Sequence, residues 1–410
     1  MNRSGRSTIK HFSLHEAGQM VLMFMLFLMG MNFDGKFFYW VFGAFFVWMF
    51  SCRSRVRIDL SFVMLLVLAA SLIIFDPSST AGGLSGLLRP VGYVLCYVLG
   101  RGLFDGYDGE WDQISIRAYM LKIFWVLSLG LMVHILLNFI LNFGSVYRNI
   151  IDVWTGSQLA ATGQAALGCL PVAVTSAFLF VEGERKWKLF AAVILIFIFI
   201  NNLMLAGRTL FIFITLCLSM GLIYFLFFSE TTQRKKIKVV AICLALILLA
   251  FVAYRLNLFH MQTLFLESNW YFRYDEMFEG ALMQDTRMDN KILFWNNLDM
   301  SLWGGNHIYD TYGSYAHDLY LDTYDYVGIF GFISVCLYSL CSLTRLLRCV
   351  FNRRIDWQLR QIVFSFYLVF HIEFWIEPIL KGLPWFFALF CMLDGMINSY
   401  LEIRYRIERE

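Results

Sequence analysis

The sequence predicts an all-α, polytopic membrane protein of about twelve transmembrane helices, and three observations carry that expectation. Apolar residues make up 59% of the 410 and charged residues only 15%, where a soluble chain carries about 25% charge. Runs of roughly 17 or more residues with almost no charge recur from end to end, each able to cross about 30 Å of hydrocarbon. Lysine and arginine gather in alternate connections between those runs, the pattern that sets orientation in a bilayer. These features exclude a soluble globular domain. The net charge of +3 comes from basic residues confined to short loops, so no nucleic-acid partner is expected.

The apolar runs fall near 17–33, 37–51, 60–75, 86–104, 118–141, 161–181, 189–206, 210–228, 239–256, 326–343, 362–380 and 384–401. The second is short for a span. Residues 1–410 read as one transmembrane domain, without internal repeat, low-complexity segment or soluble domain. The first residues, MNRSGRSTIKHF, lack a small-residue cleavage site, and no removable signal peptide is expected. Of the nine cysteines, Cys96, Cys169, Cys217, Cys243, Cys336, Cys341 and Cys391 lie within apolar runs, while Cys52 and Cys349 lie in basic loops. None forms a CxxC pair or a Cys/His cluster, so all nine are expected to be reduced, with no metal bound.

With the N-terminus in the cytoplasm, the cytoplasmic segments hold Arg53/Arg55/Arg57, Arg185/Lys186/Lys188, Arg234/Lys235/Lys236/Lys238, Arg345/Arg348/Arg353/Arg354/Arg360 and Arg404/Arg406/Arg409. The opposite set is sparse: Lys36, Arg89, Arg148, Arg208, Arg255, Arg273, Arg287, Lys291 and Lys381. Twelve spans return the C-terminus to the cytoplasm. Residues 257–325, between the ninth and tenth spans, then form a long loop on the outer face, and loops of that length commonly carry function. This loop has eleven carboxylates against Arg273, Arg287 and Lys291, and it is rich in aromatics. It is expected to pack on the membrane surface and to hold part of an active site.

Several residues stand out. Arg208, in LMLAGRTLFIF, falls at an outer turn, where it suits either a phosphate-bearing ligand or a lipid headgroup reached by snorkelling. The stretch TRMDNKILFWNNLDMSLWGG reads as an amphipathic helix, with Met288, Ile292, Trp295 and Leu298 on one stripe. Arg287 at its start suits either a ligand or a neighbour such as Asp289 or Asp285. In SYAHDLYLDTYDYVGIFGF, helical spacing puts His317, Tyr320, Leu321 and Tyr324 on one face and Asp318, Asp322 and Asp325 on another. His317 is either a hydrogen-bonded interfacial histidine or an acid–base group for a sugar hydroxyl. Glu373 and Glu377, one turn apart near the outer end of the eleventh run, require a polar cavity or a cation such as Arg89, which is similarly placed.

The order of these motifs resembles the O-antigen ligase and O-antigen polymerase superfamily of bacterial membrane glycosyltransferases. An outer-turn arginine (Arg208) comes first, then a long loop with Arg287 and Trp295 ahead of Gly304-Gly305. His317 with Leu321 follows, then Gly328-x-x-Gly331. The motifs cover roughly residues 200–335, and the helix pattern extends the likeness along the chain. The resemblance implies an enzyme of the bacterial inner membrane, with both termini cytoplasmic and neither metal nor cofactor. Its donor is an undecaprenyl-diphosphate-linked glycan, and its acceptor is a lipid-linked repeat unit or lipid A-core. A chain-length regulator is a further partner. On that likeness Arg208 and Arg287, with Arg89, bind diphosphate, and His317 serves the acceptor hydroxyl. Asp318, Tyr320, Glu373, Glu377 and Arg273 support the site or the acceptor. The family commonly has asparagine where this chain has Asp318, and a clean Gly-x-Gly before the loop is missing. Two members fit, a polymerase of O-antigen, capsular or exopolysaccharide repeats and a ligase of the finished chain; the departure at Asp318 favours the polymerase. A multispan transporter or flippase is the competing class, disfavoured because no inverted repeat with interrupted helices is visible.

Overall fold

The computed structural model describes residues 14–51, 56–76, 83–105, 112–143, 149–180, 185–268, 270–271, 286–407 and 409. Each of the twelve apolar runs is helical. The first nine are α1 (Leu14–Gly30), α2 (Phe37–Ser51), α3 (Leu60–Phe75), α4 (Gly83–Gly102), α5 (Gln113–Leu141), α6 (Ala161–Phe180), α7 (Arg185–Met204), α8 (Thr209–Phe228) and α9 (Gln233–Arg255). Three short helices follow, α10 (Met261–Leu266), α11 (Thr286–Asn296) and α12 (His307–Tyr312). The chain ends with α13 (Leu319–Phe351), α14 (Trp357–Ile376), the single turn α15 (Ile379–Gly382) and α16 (Pro384–Ile407). Among the described residues, eight helices are long and apolar enough to cross a membrane: α5 to α9, α13, α14 and α16. Helices α1, α2 and α3 are apolar but shorter, and α4 carries Arg89, Pro90 and Arg101 within its length.

Aspartates start several of these helices. The Asp59 carboxylate accepts from the Phe62 N–H, Asp112 forms a capping box with Ser115, and Asp356 accepts from the Gln358 and Leu359 N–H groups. Each satisfies donors that a helix N-terminus leaves without a partner. The interior is densest around α16, which packs along α4. A Cβ on Gly100 would sit 1.9 Å from the Met392 carbonyl oxygen, and one on Gly395 would sit 2.5 Å from that of Tyr97. Glycine on both helices allows this backbone approach, the small-residue solution used by membrane helices. Helix α13 packs on α3, and α6 packs among α5, α7, α8 and α14. Helix α9 differs: none of its apolar window is buried against the protein.

Contacts sort the connections into two ends. At one end, Arg57 bonds Asp105, Arg101 pairs with Glu402 at 2.9 Å, and Arg117 reaches Asp356 at 3.1 Å. At the other lie the α1–α2 turn, a β-hairpin (β1, Asn149–Ile151; β2, Gln158–Ala160), the start of α4 and residues 286–318. The hairpin is antiparallel, pairing Asn149 with Ala160. It is fastened by Asp152, which bonds buried His134 at 2.7 Å, and by the Trp154 indole donating to the Met31 carbonyl. The loop is fastened there by α13, where Tyr326 O–H donates to Asp76 at the end of α3.

Helix α13 is not continuous. Gly328 has φ 75° and ψ −170°, so Leu319–Val327 and the remainder are two helical pieces joined by a break. A Cβ at Gly328 would lie 2.7 Å from the Leu302 carbonyl oxygen, and one at Gly304 2.8 Å from the Gly328 nitrogen. Ile329 N–H donates to Leu302 and Gly305 N–H to Tyr326. The predicted Gly-x-x-Gly helix start is therefore a restart, and Gly304 and Gly328 are needed because two backbones cross there.

Arg345 and Cys349, expected in a basic loop, are instead buried on α13. Arg345 pairs with Asp394 of α16, and Cys349 is fully enclosed. Eight cysteines are free among the described residues; Cys52 lies outside them.

Candidate functional site

The described part of the loop is assembled around the three aspartates that helical spacing had grouped. Asp318 is the N-cap of α13 and accepts from the Tyr320 and Leu321 N–H groups. Asp322 accepts from the Ala316 N–H at 2.8 Å and the Asp318 N–H at 3.0 Å. Asp325 accepts from Ser301 Oγ at 2.5 Å and from the N–H groups of Ile308 and Tyr309. All three are buried. Their work is to bind the loop backbone to the start of α13, and Asp318 touches Lys291 as well, at 3.3 Å.

Because Asp318 caps the helix, His317 lies outside it, with a left-handed φ of 55°. The expected shared face of His317 with Tyr320, Leu321 and Tyr324 is therefore not formed. His317 is half-buried, its Nδ1 has no hydrogen-bond partner among the described residues, and its ring meets Tyr315 edge-on at 6.4 Å. Burial, then the positive charges of Arg287 and Lys291, hold its pKa below 6.5. The lowered pKa favours the neutral imidazole, whose Nδ1 is buried. Burial acts oppositely on Asp318, raising its pKa.

Arg287 begins α11 and pairs with Glu377 at 2.9 Å, not with Asp289. Asp285 and Arg273 lie outside the described residues. Glu377 is the C-cap of α14 and nearly buried, so the pair ties the loop to the bundle. Lys291, one turn along α11, donates to the Trp375 carbonyl at 2.5 Å. Trp375 in turn packs on Tyr320 at 5.0 Å. Helix α11 thus turns its basic residues inward, with Phe294 buried beside Ile308 and Ala316. Its apolar stripe points out: Met288, Ile292 and Trp295 are 51–66% exposed. The amphipathic pattern was real, but its apolar face is not the one against the protein.

Glu373 was expected to hold an arginine. It is fully buried in α14, and neither carboxylate oxygen has a hydrogen-bond partner among the described residues. Glu377 takes that role instead. Arg208 is exposed at the α7–α8 turn, shaped by Asn202 donating to the Gly207 carbonyl at 2.7 Å. Leu203, Met204 and Phe211 beside it line an apolar groove of about 950 Å³, closed by Phe265 and Trp270.

Arg89 belongs to a separate cleft of about 400 Å³, with Asp76, Gly305, Asn306, Asp310, Tyr315, Tyr326 and Lys381. Tyr315, which meets His317 edge-on at 6.4 Å, thus also lines the cleft of Arg89 and Lys381. The sequence did not single out Lys291, Lys381, Trp375 or Asp76. The placement of Lys291 and Lys381 among the sparse outer-face cations was the one available signal. No protein-family model matches the chain, and no curated protein matches it.

Proposed function

We propose that the protein is a membrane glycosyltransferase that moves an undecaprenyl-diphosphate-linked glycan onto a lipid-linked repeat unit, lengthening a surface polysaccharide. The observation that carries this reading is the grouping of a neutral imidazole, His317, with a guanidinium and an ammonium at the loop end of the bundle. Arg287, held by Glu377, and Lys291 offer positive charge to a diphosphate leaving group, and a fixed cation stabilises charge that develops in the transition state. Arg208 supplies a further guanidinium from the α7–α8 turn. The His317 imidazole orients the acceptor hydroxyl and takes its proton as that oxygen bonds the anomeric carbon and the bond to the diphosphate oxygen breaks.

This reading places all twelve apolar helices across the inner membrane, with both termini in the cytoplasm and residues 257–325 in the periplasm. The lysine and arginine asymmetry supports it. Reporter fusions at Asn297 and Arg409 should give opposite compartments. A cytoplasmic signal from Asn297 overturns the orientation and the mechanism together.

Arg287→Ala should abolish chain transfer, scored as surface-glycan laddering in a complemented null strain, while protein abundance is retained. Arg287→Lys should restore little, because an ammonium keeps the charge but loses the planar fork. Wild-type laddering in the alanine variant would reduce Arg287 to a structural clamp on Glu377. In purified form, transfer to lipid A-core rather than to a lipid-linked repeat would identify a ligase instead.

A further inference from the structure

We propose that the cleft lined by Asp76, Arg89, Asn306, Asp310, Tyr315 and Lys381 is a saccharide subsite that holds the acceptor sugar as an uncharged, hydroxyl-rich ring. This rests on the transferase reading and deepens it, since it gives the acceptor a place distinct from the diphosphate.

The cleft has the mixed chemistry that a polyol needs. Arg89 and Lys381 donate hydrogen bonds only, and the carboxylates Asp76 and Asp310 accept only. Their formal charges cancel, two against two. A diphosphate would meet two carboxylates here. Arg89 is accordingly assigned to sugar rather than to diphosphate.

The walls are built rather than accidental. Lys381, on the α15 turn, lies over the rings of Tyr309, Tyr326 and Tyr315 at 4.5, 4.9 and 5.2 Å. Tyr309 and Tyr315 stack at 4.5 Å, which fixes the Tyr315 ring that lines the cleft. Asn306 is held with φ 62° by its N–H bond to the Asp325 carbonyl at 2.9 Å. Its Oδ1 is buried and has no hydrogen-bond partner among the described residues. A buried acceptor left without a donor is uncommon in a folded protein, and a ligand hydroxyl in the cleft would supply one. The volume, about 400 Å³, lies within the roughly 300–1,000 Å³ of ligand clefts.

Position completes the argument. Tyr315 lines this cleft and also meets His317 edge-on at 6.4 Å. The cleft and the imidazole are thus joined through one ring, that of Tyr315. Burial lowers the Lys381 pKa although Asp325, Asp322, Asp310 and Asp76 all raise it, which agrees with a lysine held in a partly dry hollow.

The test uses the full chain in nanodiscs. The probes are repeat-unit oligosaccharide released by mild acid from the host cell's own surface polysaccharide and, separately, undecaprenyl diphosphate. Asp310 is exposed, so Asp310→Asn should fold normally; Lys381→Gln is the second variant. Each should weaken oligosaccharide binding about tenfold or more and raise the acceptor KM, with undecaprenyl-diphosphate affinity and kcat little changed. Unchanged oligosaccharide affinity and acceptor KM in both variants would overturn the subsite. So would a loss confined to undecaprenyl diphosphate, which would make the cleft an anion site. If wild-type protein binds oligosaccharide through this cleft but transfers no chains, the subsite stands and the transferase reading falls.

Discussion

His317→Ala should lose about 10²–10⁴-fold in turnover while donor affinity stays close to wild type, the usual cost of removing a general acid–base group. The geometry motivates the size of the effect. The imidazole is half-buried beside Arg287 and Lys291, with Nδ1 unengaged among the described residues, and burial with those two charges holds its pKa below 6.5. A base must be deprotonated to work, so kcat/KM should rise with pH on a limb that lies below 6.5. Lys291→Gln removes one of the depressing charges and should move the limb upward, toward 6.5. Among the described residues, the charged or titratable groups around His317 are Arg287 and Lys291 of α11, Tyr315 before it, and Asp318 after it. Only the two cations depress its pKa, and the Tyr315 phenol, itself pushed up to about 12 chiefly by burial, stays neutral throughout this range. Turnover and donor affinity are measured separately on purified protein with lipid-diphosphate glycan. Normal turnover in His317→Ala, or a limb indifferent to Lys291→Gln, would make the histidine structural. Joint loss of donor binding would place it on the diphosphate.

How far the sequence reached can be seen residue by residue. Apolar run length located twelve helices, eight of them long and apolar enough to cross a membrane among the described residues, because a hydrocarbon-spanning segment must be helical and continuous in composition. Periodicity found α11 and the aspartate face of α13, yet it misplaced His317. It cannot say which stripe of an amphipathic helix meets protein when lipid or solvent lies on the other side; in α11 the basic stripe of Arg287 and Lys291 does so. Nor does period 3.6 show where a helix begins. Asp318, as the cap, moved His317 off the helix and into a left-handed turn.

Partners distant in the chain were harder still. Arg287 meets Glu377 across 90 residues, and nothing in TRMDNK names that carboxylate. The closest expectation, a cation for the α14 glutamates, had the right chemistry, but it looked to Arg89 and took Glu373 as the holder. Lys381 was counted only as a loop charge, although the tyrosines that enclose it come from 309–326.

The largest structural effect is expected at the other basic residue whose partner the sequence hid. Arg345 and Asp394 are both buried, and the guanidinium meets the carboxylate two-pronged, with Nε to Oδ1 at 2.8 Å and Nη2 to Oδ2. Nη1 donates to Ser61 Oγ at 2.8 Å, and the Tyr367 O–H donates to Asp394 at 2.6 Å. The pair thus links α3, α13, α14 and α16. Asp394→Leu leaves a guanidinium enclosed without its counter-charge, and breaking a buried pair from one side costs about 3–5 kcal/mol. Against a typical stability of roughly 5–15 kcal/mol, that is enough to deplete the folded protein in the membrane. Replacing both partners should be far milder, since hydrophobic side chains of similar volume can match a buried ion pair. Arg345→Met together with Asp394→Leu should therefore recover most of the abundance and of the thermal midpoint in detergent. Chain transfer should return with it, because the partners of this pair, Ser61 and Tyr367, are not among the residues proposed to act on substrate. Wild-type stability in Asp394→Leu alone would show that the carboxylate does not balance the arginine. A double variant no better than the single would show that the polar link itself, rather than charge neutrality, holds the four helices in register.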